Sequence, residues 1–183
     1  MKLFLILVAA MISSVAAATT SINKFTDHVM VEEQKLQLCN RADIRVMAMF
    51  NVGEAALYLQ ECDRTQERLD QPAQLSIVYR RDFSAKDFQS SARKLLKRNL
   101  DSQTFNAIEA ELKRFNDNYQ AMSKGDRYDI CYSQKSGLML HKNGELISSS
   151  QSQQLGEAYL MIWFGDRPFS QKLKKKLLAA SNG

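Results

Sequence analysis

The sequence predicts an α+β fold in which an antiparallel β-sheet packs against a layer of α-helices. Apolar residues alternate with their neighbours in two groups of segments, one before residue 80 and one after residue 126. Each group precedes two segments in which apolar residues recur every three or four positions, as they do in helices. Strands and helices grouped in this way are typical of α+β domains, whereas α/β folds alternate them.

The first 18 residues have the pattern of a signal peptide. Lys2 precedes an apolar run, LFLILVAAMI, and small residues follow at Ala16 and Ala18. The run is shorter than the roughly 20 residues of a membrane-spanning helix, so we expect cleavage close to Ala18 and no transmembrane segment. We expect residues 19–183, which contain no linker or repeat, to form a single domain that would be periplasmic in a bacterium with two membranes.

The first group of strands is predicted between Lys35 and Leu59. LQL, IRVMAMF and AALYL are apolar there and proline is absent, so we expect two or three strands. A further strand follows, because Leu75, Ile77 and Tyr79 place one apolar row on a single face.

Two helices are predicted next. The first begins after Ser84, whose side-chain oxygen can accept hydrogen bonds from the free amides of a first helical turn. The second begins at Asp101 or Ser102 and is expected to end at Gly125. Its apolar stripe extends over about five turns and contains Phe105, Ile108, Leu112, Phe115, Tyr119 and Met122.

Three antiparallel strands and two more helices complete the domain. Alternation predicts strands at residues 127–132 and 138–140, and Asn143-Gly144 favours a two-residue hairpin turn because both residues tolerate positive φ. The third helix is predicted from Ser152 to Gly165 and the fourth after Pro168. Aromatic residues of these segments are interpreted as core residues with a polar tip: Tyr128, Tyr132, Tyr159 and Trp163.

The chain is moderately basic, with a formal net charge of +5. The excess lies mainly in KLLKR and KLKKK, two segments that also carry leucines at helical spacing, so the sequence does not predict nucleic-acid binding. Two interpretations of the second segment stay open. Its lysines are either a solvated helix end or a surface for anionic lipid or an acidic partner: Lys172, Lys174, Lys175 and Lys176.

The predicted mature chain keeps three cysteines, which allow at most one intramolecular disulfide. Cys39 and Cys62 are the favoured pair because they flank one extended segment, whereas Cys131 lies in a later strand. The sequence contains no CxxC or HxxxH pair, so it does not predict a metal site. The sequence also contains no GxSxG, HExxH or glycine-rich phosphate loop, and His28 and His141 lack evident partners, so it predicts neither catalytic residues nor a cofactor.

Arg45 is the candidate ligand-binding residue. It shares strand parity with Met47 and Met49, while their neighbours occupy the opposite face. If the methionine face lines a cavity, a guanidinium beside adaptable thioether side chains suits a fatty-acid-like molecule with an acidic head group. The alternative is that Arg45 is exposed and the methionines belong to an ordinary core.

Four segments give the chain a family resemblance that spans about Leu36 to Leu178. They are FNVGEAALYL, LSIVYRRDFSAKDF, KGDRYDICYSQKSGLMLHKNGEL and AYLMIWFGDRPFSQKLKKKLL, and in this order they resemble bacterial secreted chalcone isomerase-like proteins. The resemblance implies an open-faced sandwich of a sheet and a helical layer with a ligand cleft between them. It also implies that the arginine which meets the acidic end of a fatty acid in some members corresponds to Arg45, or else to Arg41.

The chain departs from the family pattern at two positions. Gly53 stands where members commonly have tyrosine or threonine, and Asp43 stands where they have glycine. In the enzymes of the family the hydroxyl at this position helps to orient a catalytic water, and Gly53 lacks it. The resemblance therefore implies a non-catalytic binding protein for a small apolar ligand with an acidic head group. An intramolecular lyase acting on an enone, and an envelope protein that binds a partner instead of a small ligand, are the alternatives.

Overall fold

A computed structural model of the chain describes residues 25–47, 49–62 and 71–179. The predicted signal peptide and its cleavage position near Ala18 lie outside these residues.

The predicted fold class is confirmed, because a seven-stranded antiparallel sheet packs against four helices. The strands lie side by side in the order in which they occur in the chain. They are β1 (His28–Val31), β2 (Gln34–Val46), β3 (Phe50–Leu59), β4 (Ala73–Tyr79), β5 (Arg127–Ser133), β6 (Gly137–Lys142) and β7 (Glu145–Ser150).

The segment from Lys35 to Leu59 forms two long strands, β2 and β3, and β1 is an additional strand that the sequence did not predict. Glu32 has a φ of 56° in the turn that joins β1 to β2. The predicted Asn143-Gly144 turn is confirmed, with φ values of 52° and 89°.

Each of the four helices begins where a side-chain oxygen caps its first turn. Ser84 accepts from the backbone amide of Asp87, whose carboxylate accepts from the Ser84 amide in return. Asp101, and not Ser102, caps the second helix. The helices are α1 (Ala85–Asn99), α2 (Ser102–Asn116), α3 (Gln153–Phe164) and α4 (Gln171–Leu177).

The predicted extension of the second helix to Gly125 is wrong, since α2 ends at Asn116. Tyr119 and Met122 keep the helical spacing and are buried, but they belong to the connection that follows α2. The backbone of Met122 instead pairs with that of Phe83, with N–O distances of 2.9 Å in both directions. A long-range backbone pairing therefore replaces the last predicted turns.

Both faces of the sheet contain buried residues. The helix-facing side carries the main core, which includes Leu75, Ile77 and Ile130. The other side carries a smaller apolar cluster around Tyr58 and Cys131. Burial raises the pKa of the Cys131 thiol above its ordinary value, so this cysteine stays protonated and unreactive.

A buried polar network lies beside the Tyr58 cluster. Asp129 accepts hydrogen bonds from Ser76 Oγ at 2.6 Å and Gln74 Nε2 at 3.3 Å, and Arg127 Nε lies 3.0 Å from its other carboxylate oxygen. Because these groups satisfy one another, the network holds β4 and β5 together without exposing a reactive group.

A disulfide joins Cys39 and Cys62, the pair that the sequence favoured. It connects β2 to the chain that leaves β3, across a sequence separation of 23 residues. On the next residue, Asn40 Nδ2 donates to the carbonyls of Leu177 at 3.1 Å and Ala179 at 2.7 Å, which fixes the end of α4 to β2. Among the described helices, none has the length and apolar character required to cross a bilayer.

Candidate functional site

A cleft of about 980 Å³ lies between α3 and one end of the sheet. It is bounded by the start of β2, the residues before β4, the end of β5 and the chain around Gly165. Its lining residues are Gln34, Gln71, Pro72, Asn99, Tyr132, Ser133, Gln134, Lys135, Glu157, Leu160, Met161, Phe164, Gly165 and Asp166.

The helix α3 supplies the apolar wall of the cleft. Leu160 and Phe164 are buried and lie one turn apart, and Met161 between them keeps 37% of its surface exposed. Asn99 at the end of α1 fixes the far edge, because its Oδ1 accepts from the Arg167 amide at 2.8 Å and its Nδ2 donates to the Arg167 carbonyl at 2.8 Å. The wall is therefore set by packed helix residues and is preformed.

Tyr132, at the end of β5, is the central polar residue of the cleft. Its side chain is buried, and its hydroxyl makes no hydrogen bond of good geometry among the described residues, although the Glu157 carboxylate lies close enough to interact with it. Burial, reinforced by the nearby Glu157 carboxylate, raises the pKa of Tyr132 above its ordinary value. The phenol therefore stays neutral and retains a proton that it can donate to a bound molecule.

Gln34 places an acceptor in the same cleft. It is the first residue of β2, and its Oε1 is also buried without a partner in the described part of the chain. Leaving a buried donor or acceptor unpaired costs roughly 1–3 kcal/mol. A ligand that forms hydrogen bonds with both groups would remove this cost and bind more tightly. Charges around the cleft are mixed, because Lys135, Glu157 and Asp166 all line it.

The residues predicted to bind the ligand lie at the other end of β2. Arg45 is 51% exposed and its guanidinium pairs with Asp43 at 3.4 Å, while Met47 and Met49 are 80% and 77% exposed. The Asn51 side chain, followed by Arg45 and Arg80, lowers the pKa of Asp43, so that carboxylate is ionised.

The expected apolar wall around Arg45 is therefore a surface hairpin. Strand β2 ends at Val46, and Met47 has a φ of 51°, so the strand alternation that would place the methionines on one face stops before them. Arg41, the second candidate for the anion-binding position, is also exposed. Neither arginine lines the cleft beside α3.

Gly53 has a structural reason to lack a side chain. It pairs with Ile44 on β2 and with Tyr79 on β4, and a Cβ atom there would lie 2.6 Å from the Val78 carbonyl oxygen. The backbone of β4 thus occupies the place where a hydroxyl-bearing side chain would begin.

Aromatic rings fill the space between the sheet and the helices near Tyr79. The ring of Phe88 packs on the rings of Tyr79, Phe83, Tyr119 and Tyr128 at centroid distances of 5.2–5.7 Å. These rings fill the region near Tyr79, whereas the cleft beside α3 is open. The prediction that Tyr128, Tyr132 and Tyr159 are core residues is confirmed by their burial, and Trp163 is partly buried.

A short chain of hydroxyl groups lies beside these rings. The hydroxyl oxygens of Tyr119 and Tyr159 lie 2.5 Å apart, and Tyr159 in turn donates to Asn116 Oδ1 at 3.5 Å. Burial raises the pKa of both tyrosines well above the ordinary value. Both hydroxyls therefore stay protonated and are paired inside the core.

Sequence reasoning named Tyr132 as a core residue but did not predict its role in a cleft. Gln34, Gly156 and Glu157 carried no signal of their own, because Gln34 begins β2 while the other two belong to α3, and only the fold brings them to Tyr132 on β5. No group of three or more histidine, cysteine or carboxylate side chains in the described ranges could hold a metal ion.

Comparisons with known proteins agree with this architecture. A family model described as chalcone isomerase-like matches residues 17–179 of the chain. The crystal structure of a fatty-acid binding protein of Arabidopsis thaliana, AtFAP1, has a similar fold, with a TM-score of 0.59 and 14% sequence identity over 84% of this chain and 90% of that one. No curated protein matches the sequence. At this identity the structural similarity establishes the fold.

Proposed function

Because the chain belongs to the chalcone isomerase-like family, we propose that it binds a small amphiphilic molecule, such as a fatty acid, without transforming it. The cleft beside α3 is the observation that carries the proposal. Its volume of about 980 Å³ lies at the upper end of the roughly 300–1,000 Å³ of small-molecule sites. The similar fold of a fatty-acid binding protein supports a ligand of this class.

The apolar wall of the cleft suits an acyl chain. Leu160 and Phe164 present fixed surfaces, and the flexible thioether of Met161 can adapt to tails of different shape. An aliphatic tail that covers this wall removes its remaining apolar surface from water, which is favourable without requiring directional contacts.

The polar end of the cleft suits a carboxylic head group. The neutral phenol of Tyr132 is a hydrogen-bond donor for it, and the Lys135 ammonium offers a positive charge at the same end. The Glu157 carboxylate lies beside the same hydroxyl, so it disfavours a head group with more than one negative charge. The head group is therefore placed toward Lys135, and a singly charged amphiphile is favoured over a phosphate ester.

The predicted signal peptide and the Cys39–Cys62 disulfide support a periplasmic location for this binding protein. In that compartment a protein with such a cleft would act as a carrier or a sensor of an amphiphile.

The proposal is tested by titrating the protein with a fluorescent fatty acid and by native mass spectrometry after gentle purification. We expect Tyr132→Phe to weaken binding about fivefold, the loss of one hydrogen bond of about 1 kcal/mol. Met161→Glu should weaken it more, because it places a negative charge on the apolar wall. Tyr58→Phe is the matched control, since its hydroxyl donates to the Thr26 carbonyl outside the cleft.

Arg45→Ala separates this site from the one that the sequence predicted. Unchanged binding in that variant supports the cleft beside α3, whereas lost binding together with normal binding by Met161→Glu would overturn it. Turnover of a chalcone or another enone by the unmodified protein would replace the binding role with catalysis. If no amphiphile copurifies and none binds in the titration, the protein more readily fits a role in binding another envelope component.

A further inference from the structure

The hairpin between β2 and β3 exposes a compact group of apolar side chains. Met47 is 80% exposed, Met49 77%, Phe50 54% and Val46 36%. These are four of the seven large hydrophobic side chains that are exposed in the described ranges. Exposed apolar residues that occur singly need no explanation, but a contiguous group of large ones marks a contact surface.

We propose that this hairpin tip, formed by Val46, Met47, Met49 and Phe50, inserts into the surface of an anionic lipid bilayer. The proposal does not depend on the ligand cleft, which lies at the opposite end of β2. It assigns a function to the methionines that the sequence had singled out as ligand-binding residues.

The size of the tip favours a membrane over a protein partner. Four side chains on a two-stranded hairpin expose a few hundred Å² of apolar surface, whereas a stable protein–protein interface buries roughly 800 Å² on each partner. Insertion between lipid head groups needs no matching surface, because each side chain that enters the acyl boundary contributes separately.

Charges near the tip complement anionic head groups. Arg45 and Arg80 lie behind the apolar residues with half-exposed guanidinium groups, and the exposed Arg81 stacks on the Phe83 ring 5.7 Å away. Asp43 and Glu54 pair with Arg45 and Arg80 and offset part of this charge. The apolar side chains therefore provide most of the affinity, while the net positive charge, +5 for the whole chain and one less without Lys2 of the predicted signal peptide, provides long-range attraction.

The test is cosedimentation of the exported protein, after removal of its signal peptide, with vesicles of phosphatidylethanolamine and phosphatidylglycerol. The tip variant Met47→Gln/Met49→Gln/Phe50→Ser should lower the partition coefficient at least about tenfold. Met30→Gln is the matched control, since Met30 is a 61% exposed methionine on β1, which pairs with the other end of β2. It should bind within about twofold of the unmodified protein.

A second measurement reports insertion directly. In Met49→Cys an environment-sensitive dye can be attached selectively, because Cys131 is buried and unreactive and the other cysteines are paired. A blue shift of the dye with anionic vesicles supports insertion, and an unchanged spectrum in the bound state contradicts it.

Three further results would overturn the proposal. The first is vesicle binding that survives in the tip variant but is lost in Lys175→Gln/Lys176→Gln, which would assign the contact to α4. The second is a dimer in sedimentation velocity that dissociates in the tip variant, which would make the tip a contact between two copies of the chain. Failure to bind vesicles in any form would also refute it and would leave the ligand cleft untouched.

Discussion

The ring of Tyr132 occupies the space that a side chain at Gly156 would need. A Cβ atom on Gly156 would lie 2.3 Å from Cε2 and 2.4 Å from Cδ2 of that ring. Tyr132 is 2% exposed and cannot swing away into solvent. The close approach of β5 to α3 therefore depends on a glycine near the start of the helix, and it places the Tyr132 hydroxyl beside the cleft.

Gly156→Ala should destabilise the protein by about 1–3 kcal/mol, the usual cost of overpacking a core. The sign is informative, because alanine is intrinsically the better helix former by about 1 kcal/mol and would stabilise α3 if there were room. Chemical denaturation measures the effect. In a Tyr132→Leu background the same substitution should be neutral or stabilising, and an equal loss in both backgrounds would contradict a clash with the ring.

The Tyr119 and Tyr159 hydroxyls should show strong coupling in a double-mutant cycle. Tyr159→Phe leaves the buried Tyr119 hydroxyl without a partner among the described residues and should cost about 1–3 kcal/mol. Tyr119→Phe should cost less, because Tyr159 keeps its contact with Asn116. The double phenylalanine variant should recover much of the loss, and simple additivity of the two single losses would argue against the pair.

Stability should fall as the pH rises above about 10. Burial raises the pKa of Tyr79, Tyr119 and Tyr159, and raises that of Tyr128 to about 12. A raised folded-state pKa means that the stabilisation is complete below the unfolded-state pKa of about 10 and is lost as the pH climbs toward the folded value. Denaturation curves between about pH 8 and pH 11 measure the slope.

Tyr128→Phe provides the control for this pH dependence. It removes one of the titrating groups and should reduce the loss of stability at pH 11 by about 1 kcal/mol. A variant that follows the unmodified protein over the whole range would show that Tyr128 does not contribute.

Removing the disulfide in Cys39→Ser/Cys62→Ser should lower the free energy of unfolding by about 3 kcal/mol, the value for a closed loop of this length. A reductant should bring the unmodified protein to the same stability and leave the double variant unchanged. The buried Cys131 serves as the internal reference, because Cys131→Ser keeps the reductant effect. Equal stability of the unmodified protein with and without reductant would contradict a stabilising role for the bond.

Local patterns predicted most of the strands and helices. Ser84, Asp101 and Ser152 were recognisable as helix starts because a cap involves residues three positions apart. Asn143-Gly144 was recognisable as a turn because its φ values are set by those two residues. The order of the predicted elements then gave the fold class, and the four ordered segments gave the family.

Tertiary structure decided the end of α2 and the position of the candidate site. Helical spacing continues to Met122, but the backbone of that residue forms hydrogen bonds with the backbone of Phe83, 39 positions earlier. Alternation grouped Arg45 with the methionines, but it could not show where the strand ends or whether other segments cover these side chains, because both depend on parts of the chain far away in sequence. The cleft itself joins Gln34, Tyr132 and Glu157, and only the folded sheet and helix bring residues of such sequence separation together.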